Sequence, residues 1–263
     1  MLRPRIIPCL LVHENGLVKT NGFKQPKYLG DPINAVRIFN EKEADELIVL
    51  DIDATINQRG PDFALIKKLA SECRMPLCYG GGITEMDQVV RLVNLGVEKV
   101  ALSSAVVRTP EILGKLASAV GRQSIVVVID VIKRKNLFGP SYKVCTHNGT
   151  VVHDLDPIKF AASLQDYGVG EIVVNSVDRD GKMEGYDLGL AKMLRGVLQV
   201  PLTFLGGAGS FDHMTDIVNA VGNIGCAAGS MFVFKGKYRA VLISYPTLAQ
   251  KQGMFKNTEY NNI

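Results

Sequence analysis

Two glycine-rich turns in this chain have the composition of anion cradles. The first is Gly80-Gly81-Gly82-Ile83-Thr84, with Ser103-Ser104-Ala105 further on; the second is Gly206-Gly207-Ala208-Gly209, with Ala228-Gly229-Ser230 further on. Glycine lets backbone N–H groups approach an anion closely and take positive φ, and a serine opening the next element adds a hydroxyl donor. One isolated Gly-Gly pair is explained as well by a tight turn. Two copies, each coupled to a downstream serine, favour phosphate, and a ligand carrying a phosphate at each end follows.

Acids stand near these turns. Asp51, Asp130, Asp178 and Asp180 end or closely follow apolar runs. Asp130 closes Ile125-Val-Val-Val-Ile129, where a free carboxylate is costly unless it is hydrogen-bonded or needed for proton transfer. A structural carboxylate capping a turn explains it equally well. The four histidines, His13, His147, His153 and His213, show no metal-ligand spacing and no cysteine joins them in a cluster, so no metal or cofactor is expected. No G-x-S-x-G elbow offers a serine nucleophile. At the opposite ends of apolar runs stand four further charges, Arg5, Glu46, Lys99 and Glu171.

The elements that must position these groups alternate in type. Strand-like runs fall at Arg5–Val12, Glu46–Asp53, Pro76–Tyr79, Lys99–Leu102, Ser124–Asp130, Glu171–Val177, Pro201–Leu205 and Gly225–Ala228. Between them lie helical patterns at Asp31–Lys42, Asp62–Ser71, Glu85–Leu95, Pro110–Val120, Pro157–Tyr167, Asp187–Leu198 and Asp212–Val221, the last with Ser210 as an N-cap. Strands apolar on both faces and separated by helices belong to a parallel sheet covered on all sides. Glu46-Leu-Ile-Val-Leu-Asp-Ile-Asp53 aligns with Glu171-Ile-Val-Val-Asn-Ser-Val-Asp178, and Gly81 with Gly207 and Ser104 with Ser230 follow at nearly the same offset. The expected fold is therefore an α/β (β/α)8 TIM barrel with a half-barrel internal duplication.

In such a barrel the carboxy ends of the strands carry the ligand. The cradles and the acids Asp51, Asp130, Asp178 and Asp180 fall there. Lys19 and the connection Asn21–Gly30 are expected to form a lid loop, with Lys19, Lys24 or Lys27 closing over a phosphate. The strand-start charges fall at the other end. Glu46, Lys99 and Glu171, from alternate strands, could share a layer that Arg5 joins from below, a charge-balanced polar plug.

Composition excludes several classes. With 263 residues, 47% hydrophobic and 21% charged, the chain suits one globular domain, expected over 1–250 with a loose tail at 251–263. The net charge of +4 comes from scattered residues, and Trp is absent, so anionic small molecules are expected rather than nucleic acid. Five cysteines without a C-x-x-C pair read as reduced core residues. Without a signal-peptide h-region or a stretch near the ~18–20 apolar residues of a membrane span, a cytoplasmic protein is expected.

Taken together, Arg5-Ile-Ile-Pro-Cys-Leu, Gly30-Asp31-Pro32, Asp45-Glu46-Leu47, Tyr79-Gly-Gly-Gly82, Ile129-Asp130, Ser176-Val-Asp-Arg-Asp-Gly181, Gly185-Tyr186-Asp187 and Gly206-Gly-Ala-Gly209 closely resemble the cyclase subunit family of imidazole glycerol phosphate synthase, over roughly residues 1–245. That resemblance implies a heterodimer in which a glutaminase subunit docks on the barrel floor. Ammonia would pass a gate matched by Arg5, Glu46, Lys99 and Glu171 and reach a bis-phosphate substrate. It assigns one phosphate site to Gly82, Ser103 and Ser104, where the family often has Asn-Thr for the serines. It assigns the other to Asp180, Gly181, Gly207, Ala208, Gly229 and Ser230. It also implies two catalytic aspartates: Asp130 matches one, and Leu11 stands at the other's position, with His13 two residues on. Three functions follow: the histidine-pathway cyclisation, a paralogue channelling ammonia to amidate a surface-polysaccharide sugar, and the aminoaldose isomerase of the same pathway.

Overall fold

The computed structural model describes residues 3–136 and 139–256. Its parallel strands are β1 (Arg5–His13), β2 (Leu47–Asp51), β3 (Leu77–Gly80), β4 (Lys99–Leu102), β5 (Ile125–Asn136), β6 (Glu171–Ser176), β7 (Leu202–Leu205) and β8 (Gly225–Ala228). They pair in chain order, and β8 returns to β1 with Arg5 opposite Gly225, closing the expected eight-stranded barrel.

The apolar character of both strand faces has two separate causes. Inward side chains, among them Ile7, Ile48, Cys78, Ala101, Val126, Val173 and Ala227, fill the barrel. Outward ones such as Ile6, Leu47, Val49, Val127 and Phe204 pack under the surrounding helices. Those helices are α1 (Pro32–Glu41), α2 (Phe63–Glu72), α3 (Met86–Asn94), α4 (Ile112–Val120), α5 (Pro157–Leu164), α6 (Leu188–Arg195), α7 (Phe211–Val221) and α8 (Leu248–Phe255). Asp31, Asp62, Asp156 and Asp187 cap α1, α2, α5 and α6 by accepting first-turn N–H groups. Ser210 does the same for α7, as its sequence position predicts.

The structure departs from the sequence reading in three places. The expected lid after β1 is an ordered hairpin, Gly16–Asn21 and Lys24–Gly30, continuing antiparallel from β1 with Leu11 opposite Val18. β5 does not stop at Asp130 but runs on to pair antiparallel with Gly139–Thr146, placing Asp130 opposite Cys145. The tail expected to be loose from Lys251 begins inside α8, where Thr247 caps the helix. There Lys251 is buried and its Nζ donates to Asp45 Oδ1 at 2.8 Å and the Glu43 carbonyl at 3.1 Å. The boundary expected after residue 250 thus falls within a docked helix; residues 257–263 of that tail lie outside the described residues. The five cysteines are unpaired thiols, and no helix of the described residues is long and apolar enough to cross a membrane.

Candidate active site

At the carboxy ends of the strands two cavities meet in one trough. The first, of about 120 Å3, is lined by Leu11, Asp51, Gly82, Ser103, Ser104, Asp130 and Asn175 among others. The second, of about 30 Å3, is lined by Lys19, Asp180, Gly181, Gly207, Ala208, Gly229 and Ser230. Leu11, Phe23 and Asn175 line both, so they form the saddle between them.

Each cavity has a glycine that no other residue can replace without strain. Gly82 at φ +68° and Gly207 at φ +108° occupy left-handed backbone. A Cβ at Gly82 would strike the Arg59 carbonyl and Ala54, and one at Gly207 would strike the Gly185 carbonyl. In the second cavity the Ser230 hydroxyl is buried and has no hydrogen-bond partner. An unsatisfied buried hydroxyl is costly, and beside the bare backbone of Gly207 and Gly229 it is a donor placed for a small anion.

The acids divide by environment. Asp130 projects into the trough from β5 and accepts from Asn175 Nδ2 at 3.0 Å. Burial pushes its carboxyl up to about 7; the Asn175 hydrogen bond opposes this and nearby Asp180 adds to it. Asp51 is spoken for by the fold. Its Oδ1 accepts from the backbone N–H groups of Asp53 and Ala54 at 2.9 and 3.1 Å, and its Oδ2 lies 2.9 Å from Arg59. Burial still raises its carboxyl above the ordinary range, those partners working the other way. Asp178 accepts from Lys133 N at 2.6 Å and lines neither cavity.

Asp180 stitches the rim together. It lies 2.5 Å from Lys19 Nζ and accepts from Thr20 Oγ1 at 2.8 Å and Phe23 N at 3.2 Å. Lys19 is therefore buried, with its stem against Gly229, which corrects the expectation of a lysine on a closing loop. Lys24 and Lys27 are exposed on the hairpin, Lys27 resting over the Phe234 ring. His13 is held by Asp53 at 2.7 Å and lines neither cavity.

Three participants escape sequence inspection. Asn175 is one: its amide oxygen is buried without a partner. The duplication carried a signal, because Asn175 stands where the first half has Leu50, a polar group at an inward position of a buried strand. His147 and Asn148 are the others, brought to the first cavity by the unforeseen extension of β5. The charged stretch Lys133–Lys135 disguises that extension as a loop.

At the opposite end of the barrel the four strand-start charges meet. Arg5 contacts Glu46 and lies 2.6 Å from Glu171, while Lys99 lies 2.8 Å from each glutamate. Thr203 Oγ1 donates to Glu171 at 2.6 Å. Burial works against the ionised forms, but in Glu171 the two cations outweigh it and hold the carboxyl well below the usual range. In Glu46 burial and the neighbouring Glu171 win and the carboxyl is raised. Burial likewise disfavours the charged Arg5 and Lys99, yet the two glutamates hold both cations above their ordinary values. The ring encircles the floor of the barrel, and the inward side chains of Ile7, Ile48, Ala101 and Val173 lie between it and the trough.

Fold and site together define a (β/α)8 barrel with a repeated half, two glycine-rich turns at the carboxy ends of its strands and a charged floor. The chain belongs to the family of histidine biosynthesis proteins, whose model matches residues 5–239. It is 55% identical over 252 residues to a provisionally named imidazole glycerol phosphate synthase subunit hisF3 of Vibrio vulnificus, covering 96% of each chain. It is 50% identical to a subunit HisF of Leptospira borgpetersenii, over 97% of this chain and all of that one. To the subunit hisF2 of Pseudomonas aeruginosa it is 48% identical, over 94% of this chain and 97% of the relative. Both of these carry the same provisional synthase name.

Proposed function

We propose that the chain is the cyclase subunit of an imidazole glycerol phosphate synthase-type glutamine amidotransferase. A glutaminase subunit sits against the charged floor, ammonia enters past Arg5, Glu46, Lys99 and Glu171, and a bis-phosphate substrate spans the trough. One phosphate lies at Gly82, Ser103 and Ser104, the other at Gly181, Gly207, Ala208, Gly229 and Ser230. The observation that carries this reading is the stacking on one barrel of a charge-balanced floor, a filled interior and a carboxyl between two glycine cradles.

The chemistry needs a proton to leave the attacking nitrogen and another to reach the departing group. Asp130, with its carboxyl raised to about 7 by burial, holds and releases a proton at neutral pH. Asn175 orients that carboxyl through its amide N–H. Lys19 neutralises Asp180 beside the second cradle, so that a buried carboxylate does not repel the phosphate there. Cyclisation and cleavage would yield imidazole glycerol phosphate and an aminoimidazole carboxamide ribotide.

One observation favours a second reading. Leu11 lines both cavities at the position where the resemblance implies the other aspartate, and a leucine can neither donate nor accept a proton. A missing acid or base lowers rates by roughly 10²–10⁴-fold. In the second reading the barrel keeps its dock and gate but supplies nitrogen for amidation of a surface-polysaccharide sugar. An ammonia-supplied cyclase assay of the natural chain and Leu11→Asp separates the two. Turnover by the natural chain at the rate of the variant supports the cyclase; turnover only after substitution supports the repurposed barrel.

A further inference from the structure

Turnover of a substrate in the trough needs two proton movements, and Asp130 is one carrier. Among the described residues two other titratable side chains line the first cavity, Asp51 and His147. Asp51 is committed to Arg59 and to two backbone N–H groups. In the second cavity Lys19 and Asp180 are paired with each other, and burial pushes the Cys9 thiol up to about 12. His147 is what remains. A cavity of about 120 Å3 takes only a few water molecules, at ~30 Å3 each, so a ligand that fills it meets every side chain of its wall.

The backbone fixes where His147 stands. His147 and Asn148, both at φ +54°, turn the chain from Gly139–Thr146 back to Val151–Val152. Asn148 Nδ2 donates to the Ile52 carbonyl at 3.0 Å, and Ile52 N donates to the Val12 carbonyl at 3.1 Å. The turn is thereby pinned across the mouth to the ends of β2 and of β1, the strand that carries Leu11.

Behind His147 the buried Thr146 hydroxyl lies 2.9 Å from His147 Nδ1 and 2.8 Å from His153 Nε2. A hydroxyl has one hydrogen, so it donates to one ring and accepts an N–H from the other. When Thr146 accepts from a neutral His147, Nε2 is a bare lone pair and a base; when Thr146 donates, Nε2 carries the proton and is an acid. That Nε2 has no partner among the described residues. Thr146, His147 and His153 also line a rim cleft of about 900 Å3, which the exposed Gln58, Thr84 and Arg108 share, so it opens to water. His147 itself is exposed at the mouth, where a ligand seated in the first cavity covers it. The route through Thr146 to the cleft stays open.

We propose that His147 is a catalytic residue of the trough, the second proton carrier beside Asp130, with Thr146 and His153 as positioning groups that link it to the water of the cleft. The inference rests on the cyclase reading. His147 Nε2 takes the proton that leaves the attacking nitrogen. Its Nδ1 proton passes to Thr146 Oγ1, the Thr146 proton to His153 Nε2, and the His153 Nδ1 proton to water. All three groups end neutral with a proton on Nε2, and the reverse passage delivers that proton to the departing group.

Steady-state kinetics of the full chain in the ammonia-supplied cyclase assay test it. His147→Asn, a residue type that tolerates left-handed backbone, lowers kcat by roughly 10²–10⁴-fold. Adding Leu11→Asp regains most of that loss, because a carboxyl in the same trough carries the proton; an added anion does not restore lost affinity for a bis-phosphate. His153→Gln keeps a polar atom beside Thr146 but passes no proton, so kcat falls, and Leu11→Asp bypasses this loss too. A natural chain whose kcat is unmoved by His147→Asn overturns the inference and leaves the cyclase reading standing. A loss that falls on KM alone, or that Leu11→Asp does not relieve, does the same. Unchanged kcat in His153→Gln overturns the relay. Turnover that appears only when Leu11→Asp is made in the otherwise natural chain overturns the role of His147 in favour of the repurposed barrel. Turnover by neither chain overturns the cyclase reading and this inference with it.

Discussion

Leu11 and Asp130 line one trough. Burial is the leading cause of the raised Asp130 carboxyl, with nearby Asp180 adding to it. The sign of the consequence is definite. With an ordinary value near 3.8 and a folded value of about 7, the folded chain holds a proton that the unfolded chain has released. Its contribution to stability is complete below pH 4 and is lost as pH rises through 7. Asp130→Asn removes that loss. Relative to the natural chain the variant therefore gains stability between pH 4 and 7, by up to roughly 4 kcal/mol at 1.36 kcal/mol per pH unit. On the cyclase reading, the variant's ammonia-supplied turnover falls by roughly 10²–10⁴-fold. Urea denaturation across that range reads the first effect; parallel pH profiles for the two chains would contradict the raised carboxyl. Asp130 was legible in the sequence because an acid that closes five apolar residues is conspicuous. Asn175 was harder to read, since only the folded trough brings its amide N–H onto the Asp130 carboxyl.

At the scale of elements, the duplication is written into the helix starts as clearly as into the strands. Asp31-Pro32 and Asp156-Pro157 open α1 and α5, and Asp62 and Asp187 open α2 and α6, each pair 125 residues apart. Asp62→Ala and Asp156→Ala should each cost about 1 kcal/mol, the ordinary worth of an N-cap. Asp187→Ala should cost more, because its second oxygen also accepts from the Tyr142 hydroxyl at 3.0 Å. Equal midpoint shifts for all three in chemical denaturation would contradict that added role. The eight strands and the helices around them were readable because burial on both faces leaves long apolar runs and clean caps. The hairpin after β1, the extension of β5 and α8 were not. The hairpin and α8 are tied down by particular polar contacts, Lys19 with Asp180 and Lys251 with Asp45, and the β5 extension by its antiparallel ladder with Gly139–Thr146. Such pairings are invisible until the chain is folded.

For the whole molecule, the floor ring decides between a stability device and a passage. Four charges from β1, β4, β6 and the approach to β2 tie the barrel together across its axis. Desolvation makes such a ring a poor source of net stability, yet breaking it unevenly is costly. Glu171→Gln leaves two cations facing one carboxylate and should cost about 3–5 kcal/mol. Adding Lys99→Met to it restores the balance of Arg5 with Glu46 and should recover most of that loss in thermal or denaturant unfolding. If the ring serves only to hold strands together, the double variant should match the natural chain in turnover with either nitrogen source. If it admits nitrogen from a docked glutaminase, the refolded double variant should keep the turnover supported by ammonium salts and lose the turnover driven by glutamine. A double variant equally active with both nitrogen sources would remove the floor from the functional account, while leaving the cradles and Asp130 at the other end untouched.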